Sequence, residues 1–246
     1  MDAQNPSRAS SHPNRLLASL SQKDFTQLSP HLKPFELVHG DLLFDAGETV
    51  NWIYFPHSGV ISLVIGLADG QLIEIAMVGR DSLVGASSAM DGKVSLNRGI
   101  VQVPGVASIL EVDVLCDVAE KSLPFRTMLI RHEQLLFAQA QQSAACNASH
   151  SVESRLARWL LRVRDLTGGN KLDLTQEFLA QMLGVRRTSV SLVANALQSA
   201  GLIRYSRGHV EITNLEGLRE ISCECYASVK THSDRLIGRA AKRAST

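Results

Sequence analysis

The chain has 246 residues, of which 45% are hydrophobic and 20% charged, and its net charge is +1. The composition is that of an ordinary globular protein, and the length suits one large domain or two small ones. No apolar run approaches the roughly 18 residues that suggest a membrane span, and four cysteines do not make a disulfide framework for so long a chain.

Charge is distributed unevenly along the chain. Residues 1–149 contain 10 Lys and Arg against 15 Asp and Glu, whereas residues 150–246 contain 15 against 9. This asymmetry favours a sensor or scaffold joined to a nucleic-acid binder, and chance is the alternative at these counts. The first dozen residues are polar and lack the apolar core of a signal peptide. We therefore expect a disordered tail over residues 1–13, a cytoplasmic location and no membrane partner.

The first half of the chain predicts helices followed by a barrel. From Asn14 to about Leu32 apolar residues recur at helical spacing, with Ser21 placed to cap a helix. From Pro34 to about Val112 short β-rich runs alternate with glycine and aspartate turns, and Asp69-Gly70 is the strongest hairpin signal. The expected strands are Phe35–Val38, Leu42–Phe44, Trp52–Phe55, Val60–Leu67, Leu72–Val78, Ser95–Val103 and Ser108–Val112. We predict an α+β protein whose first domain, residues 14–123, is an antiparallel β-roll or jelly-roll barrel.

A long helix is predicted from about Pro124 to Asn147. Residues of one face recur at seven-residue spacing, with polar or small residues between them: Leu129, His132, Leu136, Gln139, Ser143 and Cys146. An imperfect heptad seam of this kind favours self-association through paired helices. Residues 124–150 are therefore interpreted as the dimerisation helix and hinge of a homodimer. A helix that packs only on its own barrel is the alternative.

The basic part of the chain predicts a winged helix-turn-helix. A helix from Val152 to about Leu166 carries arginines that we expect to leave much of its exposed surface basic: Arg155, Arg158, Arg162 and Arg164. The stretch from Thr175 to Asn214 has the pattern of a helix, a glycine turn, a second helix and two short strands. We assign the DNA-binding domain to residues 151–230 and a loose basic tail to residues 231–246.

In a winged helix-turn-helix the second helix enters the major groove of double-stranded DNA, and its first residues meet base edges. The candidates are Arg186, Arg187, Thr188, Ser189 and Ser191 on that helix, with Arg207 and His209 at the wing. Arginine can hold guanine with two hydrogen bonds, and hydroxyl groups can bind bases or phosphates. Any two amphipathic helices joined by glycine give part of this pattern. The prediction therefore depends on the two strands of the wing and on the basic residues at the start of the second helix.

The order of parts resembles the Crp/Fnr family of bacterial transcription regulators. The resemblance rests on Leu42–Glu48 in the barrel, and on Leu174–Glu177, Gly184–Val190 and Gly201–Ile203 in the DNA-binding part. It implies a homodimer that binds double-stranded DNA, with RNA polymerase as a further partner. Arg187 matches the base-reading arginine of the family, and Thr175 and Gln176 match positions that contact phosphates.

Departures from the family pattern limit what the resemblance implies. In the family, glutamate is frequent at the position of Thr188 and a second arginine at the position of Leu192. We therefore expect the DNA sequence that this protein recognises to differ from that of the best-known members. The candidate effector pocket is Gly85, Ala86, Ser87, Asn97 and Arg98. It lacks the glutamate that holds the ribose of a cyclic nucleotide, and its arginine is displaced by one position, which turns a strand side chain to the opposite face. We therefore expect no cyclic nucleotide. The absence of an N-terminal cysteine cluster argues against an iron–sulfur cluster.

Other candidate sites are weak. Cys223-Glu224-Cys225 has no second Cys/His pair at a known spacing, and residues two apart on a helix point away from each other. We interpret this pair as chance and predict no metal site, no cofactor and no catalytic residue. Cys146 and His132 could act as redox or pH switches, but a buried apolar cysteine and a polar seam residue are the simpler interpretations. The alternative function is a small-molecule-binding module whose helix-turn-helix contacts proteins.

Overall fold

The computed structural model describes residues 11–87, 94–206 and 208–244, with side chains described as far as Arg235. Arg207 and residues 1–10 of the expected tail lie outside the described residues. The strands are β1 (Lys33–Leu37), β2 (Leu42–Phe44), β3 (Trp52–Pro56), β4 (Val60–Gly66), β5 (Leu72–Val78), β6 (Arg98–Val103), β7 (Gly105–Glu111), β8 (Lys171–Asp173), β9 (Ile203–Ser206) and β10 (His209–Ile212). The helices are α1 (Arg15–Ala18), α2 (Gln22–Leu28), α3 (Val112–Lys121), α4 (Leu123–Ser149), α5 (Val152–Thr167), α6 (Gln176–Leu183), α7 (Arg187–Ser199), α8 (Leu215–Ile221) and α9 (Cys225–Ala244).

Two short helices replace the single helical stretch expected at the N-terminus. Asn14 caps α1 and Ser21 caps α2, each accepting hydrogen bonds from backbone N–H groups of the next turn, which satisfies donors that a helix start leaves free. The expected disorder does not extend to His12, whose ring packs edge-on against Phe25 and His57 at centroid distances of 5.9 and 5.0 Å.

Two antiparallel sheets form the predicted barrel, in the strand orders β1-β7-β3 and β2-β6-β4-β5. Ile53, Ile61 and Leu110 come from both sheets and are fully buried in one core. The β4–β5 hairpin turns at Asp69-Gly70 as predicted, and Gly70 has φ +85°, a conformation that favours glycine. The antiparallel barrel expected from the alternating turns is therefore confirmed.

Strand β4 is buried on both faces because it lies between two cores. Ile61 belongs to the barrel core, whereas its neighbour Val60 contacts the core of the DNA-binding part. That second core also contains Met77 of β5 and Trp159 of α5. Helix α5 is thus enclosed between barrel and winged domain, which corrects the expectation of a basic exposed surface: Arg155 and Arg162 are only 6% and 7% exposed.

Buried polar contacts join the two domains. Arg162 donates to both carboxylate oxygens of Asp81 at 2.9 and 3.3 Å, and Ser233 of α9 donates to the same carboxylate at 2.7 Å. Trp159 donates its indole N–H to Glu74 of β5 at 2.9 Å. Buried charge is tolerated only when it is paired, so these contacts fix one arrangement of the domains.

The C-terminal region differs from the prediction. Helix α8 ends at Ile221, and α9 then continues to Ala244 through residues that the sequence assigned to a loose tail. Ser233 is buried against Asp81, and Val229 is also buried, so packing orders the first half of this helix despite its basic end. Among the described helices, none is long and apolar enough to cross a membrane.

Candidate nucleic-acid interface

Helices α6 and α7 form the predicted helix-turn-helix. Thr175 caps α6 by accepting a hydrogen bond from the N–H of Phe178 at 3.1 Å. Gly184 ends α6 with φ +60°, and α7 begins three residues later. Val190, Ala194 and Leu197 bury one face of α7 against the domain core. The opposite face, which starts at Arg187, is left toward solvent.

The start of α7 is basic and accessible. The Arg186, Arg187 and Thr188 residues are all exposed, and the side chain of Arg187 is 67% exposed. Among the described residues, its ion-pair partner is Glu177 at 4.0 Å, and the two side chains are equally exposed. A pair of that kind contributes little, so the guanidinium remains free to bind another acceptor.

Two of the predicted DNA contacts, Ser191 and Gln176, are hydrogen-bonded to each other. The hydroxyl of Ser191 donates to the amide oxygen of Gln176 at 2.6 Å, which ties α7 to the first turn of α6. Ser189 is half-buried, and Leu192 is 72% exposed. Arg187, Thr188 and Leu192 are thus exposed on this part of α7, whereas Ser189 and Ser191 are half-buried.

The wing is a three-stranded sheet in the order β8-β10-β9. His209, a predicted contact to the DNA backbone, donates from Nδ1 to a carboxylate oxygen of Asp173 at 2.6 Å. Arg204 of β9 pairs with Glu211 of β10 at 2.9 Å. All these side chains but Glu211 are at least 70% exposed.

A cleft of about 610 Å³ separates the start of α7 from the barrel. Its barrel wall is the β4–β5 hairpin at residues 69–72, and its opposite wall includes Glu177, Arg186 and Arg187. A Cβ atom built on Gly184 at the turn would lie 3.8 Å from the side chain of Ile73 in β5. The barrel thus lies directly beside the predicted base-reading residues.

Arg98, the charged residue of the predicted effector pocket, does not point into the barrel. Gly99 and Val101 face the barrel core, where Phe44 lies over Gly99, so the alternation of the strand places Arg98 on the outer face. There it binds both carboxylate oxygens of Asp45 at 2.8 and 2.6 Å, which lowers the pKa of that carboxyl. Gly85 has φ +102°. Ala86 is buried, and Ser87 and Asn97 are more accessible.

The dimer seam predicted on α4 faces the protomer's own fold. Leu129, His132, Gln139 and Cys146 are all buried, and Leu136 and Ser143 are half-buried. His132 accepts from the backbone N–H of Leu83 at 3.3 Å. This face packs on the barrel and α9, as the alternative interpretation held. Three large apolar residues of α4 are instead exposed: Leu123, Ile130 and Phe137, at 64%, 48% and 66%.

A buried carboxyl lies at the domain junction. Glu74 is enclosed by Ser62 of β4, whose hydroxyl donates to it, and by Trp159 of α5. Burial raises the pKa of Glu74 to about 7, while Ser62, Arg158, Trp159 and Arg162 act to lower it. The sequence offered no signal for this group, because nothing local distinguishes it from a strand residue that faces water.

Three cysteines and one histidine from two distant segments of the sequence lie together in the fold. Cys223 precedes the first turn of α9 and is not helical, so it and Cys225 do not point apart as expected. Both lie beside Cys146 and His150 at the end of α4, with all ligand atoms within 4.8 Å of one another. The premise that the pair has no Cys/His companions is therefore wrong. Burial raises the pKa of Cys223 to about 12.

Comparisons with known proteins agree with this architecture. Residues 154–221 match the family model of the Crp-like helix-turn-helix domain. A putative transcriptional regulator of the Crp/Fnr family from Eubacterium rectale is 19% identical, with a TM-score of 0.66 over 84% of this chain and 96% of that one. FixK2 from Bradyrhizobium japonicum is 15% identical, with a TM-score of 0.67 over 78% and 98%.

The c-di-GMP-responsive global regulator CLP from Xanthomonas campestris is 17% identical, with a TM-score of 0.61 over 77% of this chain and 98% of that one. No curated protein sequence matches the chain. The structures from Eubacterium rectale and Xanthomonas campestris are both named as regulators. The chain thus carries a Crp-like helix-turn-helix domain at residues 154–221, and its fold is that of the Crp/Fnr transcriptional regulators.

Proposed function

We propose that this protein is a sequence-specific DNA-binding transcription regulator of the Crp/Fnr type that acts as a homodimer. The observation that carries the proposal is the exposed basic start of α7, where Arg187 has no strong partner within the described residues. The positive end of the helix dipole lies at the same place. Together they offer a major-groove reader on a helix whose other face is fixed in the core.

The exposed face of α7 has both polar and apolar side chains that could contact base edges in the major groove. Arg187 can hold guanine O6 and N7, and the exposed Leu192 can contact the methyl group of thymine. The hydrogen bond between Ser191 and Gln176 holds α6 and α7 in register rather than reading sequence. Thr175, at the start of α6, and the wing residue His209 are the proposed phosphate contacts.

Replacing Arg187 by alanine should weaken binding to the preferred operator by about 5- to 150-fold, because one bidentate base contact contributes about 1–3 kcal/mol. The operator is first selected from a random duplex library, and affinity is measured by fluorescence anisotropy. Binding to unrelated DNA should change much less.

The control for this measurement is Lys33→Ala, which removes one exposed positive charge from the barrel strand β1. It should leave operator affinity unchanged. If Arg187→Ala binds the operator as tightly and selectively as the parent protein, the assignment of Arg187 is wrong. If operator binding is insensitive to salt, the DNA-binding proposal itself fails, since phosphate contacts impose a steep salt dependence.

The dimer is proposed to form through the exposed face of α4. Leu123, Ile130 and Phe137 recur at seven-residue spacing, and Ala144 continues the series with a small exposed side chain. Exposed apolar residues in a heptad pattern favour helix pairing. A two-fold axis along this seam would present two winged domains to two half-sites.

Phe137→Glu should shift the protein toward monomer, raising the dimer dissociation constant by at least about tenfold, because the symmetric interface would hold two unpaired charges. Sedimentation velocity over a concentration series measures this. Val38→Glu places the same charge on an apolar barrel residue that is 49% exposed and should leave the dimer intact. Equal dissociation of both variants, or of neither, would contradict the seam.

The barrel is proposed to regulate the winged domain through their direct contacts. The β4–β5 hairpin borders the cleft beside Arg186 and Arg187, and buried hydrogen bonds join β5 to α5. A signal that binds one arrangement of these contacts better than another would shift the DNA-binding equilibrium. Because Arg98 is held on the outer face by Asp45, we infer that this signal is not a cyclic nucleotide bound through Arg98.

A further inference from the structure

Four side chains with metal-binding atoms converge where α4 meets the start of α9. Cys146 and His150 lie one turn apart at the end of α4, and the backbone N–H of His150 bonds the carbonyl of Cys146, so both side chains share one face. Cys223 and Cys225 approach from the loop after α8 and the start of α9. We propose that Cys146, His150, Cys223 and Cys225 form a structural zinc site.

The distances fit a single tetrahedral metal ion. Zinc lies about 2.3 Å from cysteine sulfur and about 2.0 Å from histidine nitrogen, which places neighbouring ligands about 3.5 to 3.8 Å apart. The sulfurs of Cys146 and Cys223 are 3.5 Å apart, and Nδ1 of His150 is 3.6 Å from the sulfur of Cys225. All four ligand atoms lie within 4.8 Å. A cluster of several metal ions needs a wider cage than this.

The surrounding groups fix the ligands in binding geometry. Nε2 of His150 lies 3.2 Å from a carboxylate oxygen of Glu224, which holds the proton on Nε2 and leaves Nδ1 with its lone pair toward the cysteines. Carboxylate partners of this kind are common behind metal-binding histidines. Gln142 donates an N–H to the sulfur of Cys225 at 3.0 Å, which stabilises a thiolate more than a thiol.

Three thiolates and one Zn²⁺ would leave a net charge of only −1 in the buried cluster. Burial raises the pKa of Cys146, whereas Arg158 acts to lower it, and a bound divalent ion would supply the positive charge that buried thiolates need. The three cysteines form a small buried core of their own, whereas His150 is 24% exposed. The histidine edge therefore provides a path by which the metal can enter.

Simple packing of small apolar residues is the competing explanation. It accounts for the burial of the cysteines, but not for a histidine whose Nδ1 points at a sulfur while its Nε2 is held by a carboxylate. The zinc site would join the end of the long helix α4 to the loop and helix that follow the winged domain. It would therefore fix the hinge at residues 150–151 independently of DNA.

The test uses the full-length protein purified under reducing conditions and requires no DNA. Elemental analysis and native mass spectrometry should find one zinc per chain. After the metal is removed with a chelator, Co²⁺ should restore binding and give the visible bands of tetrahedral thiolate coordination. Removal of the metal should also lower the melting temperature of the parent protein.

Three variants sharpen the result. Cys223→Ser should abolish the cobalt bands, whereas Cys116→Ser, which changes the cysteine outside the cluster, should retain them. Glu224→Gln alters only the exposed carboxylate behind His150, so it should fold normally and bind zinc about 10- to 100-fold more weakly.

The proposal is overturned if reduced, folded protein contains no zinc and gives no cobalt bands. It is also overturned if Cys223→Ser binds cobalt as the parent does, or if Glu224→Gln leaves the zinc affinity unchanged. A Cys146–Cys223 disulfide in protein isolated without reductant, together with failure to bind either metal after reduction, would assign the cluster to thiol oxidation instead.

Discussion

Replacing Arg162 by alanine is expected to lower the free energy of unfolding by about 3–5 kcal/mol. Arg162 and Asp81 are 7% and 3% exposed. The variant therefore leaves a buried carboxylate that keeps, among the described side chains, the hydrogen bond from Ser233. Burial alone would raise the pKa of Asp81, but Arg162 holds it below its usual value. The loss is measured from urea unfolding at neutral pH, where the carboxyl is ionised in the parent protein.

The matched control is Arg204→Ala, which breaks an arginine–carboxylate pair of the same 2.9 Å length on the surface of the wing. Because Arg204 is 70% exposed, this change should cost at most about 1 kcal/mol. Similar losses for the two variants would mean that the buried pair does not hold the domains together. A larger loss for Arg162→Ala would identify it as the main polar link between barrel and DNA-binding domain.

Much of the fold could be predicted because its signals are local. The β4–β5 hairpin follows from Asp69-Gly70, where the turn requires a residue that tolerates positive φ. Thr175 as a cap and Gly184 as a left-handed terminus delimit α6 in the same way. Each of these features depends on a few neighbouring residues, so sequence alone places them within a few positions.

Local sequence signals could not predict which face of α4 packs against the barrel. Leu129 and Leu136 form one heptad series, and Ile130 and Phe137 form another that is shifted by one residue. Both series are apolar, so periodicity cannot tell which one the barrel covers. The deciding contacts, such as the hydrogen bond from the backbone of Leu83 to His132, come from residues about 50 positions away.

Pairs of polar residues that meet across the fold are equally hard to predict, because each partner lies far from the other in the sequence. The arginines of α5 have helical spacing and suggest a solvated face, yet Arg162 meets Asp81 across the domain junction. Cys146 and His150 are one helical turn apart, a spacing that could have been recognised beside Cys223-Glu224-Cys225. Nothing in the sequence shows that the two segments meet, because more than 70 residues of independent domain lie between them.

The protein is expected to lose about 3 kcal/mol of stability, relative to a Glu74→Gln variant, as pH rises from about 4.5 to about 8. Burial raises the pKa of Glu74 from 4.5 to about 7, so the folded state binds a proton that the unfolded state releases. Its contribution is complete below about pH 4.5 and is lost as pH passes through the folded-state pKa. The amide of the variant does not titrate, and it can accept from Trp159 through its oxygen while its NH₂ donates to the hydroxyl oxygen of Ser62.

Urea unfolding of both proteins across this pH range tests the linkage, since all other titrating groups cancel in the difference. Arg158 and Arg162 of α5 face Glu74, and Gln139 of α4 and Tyr226 of α9 line the same small cavity. If these arginines kept the carboxyl ionised in the folded state, the two stability curves would run parallel. If the curves diverge as expected, alkaline conditions weaken the junction between β5 and α5. Operator affinity measured over the same range would then show whether that junction transmits a signal to α7.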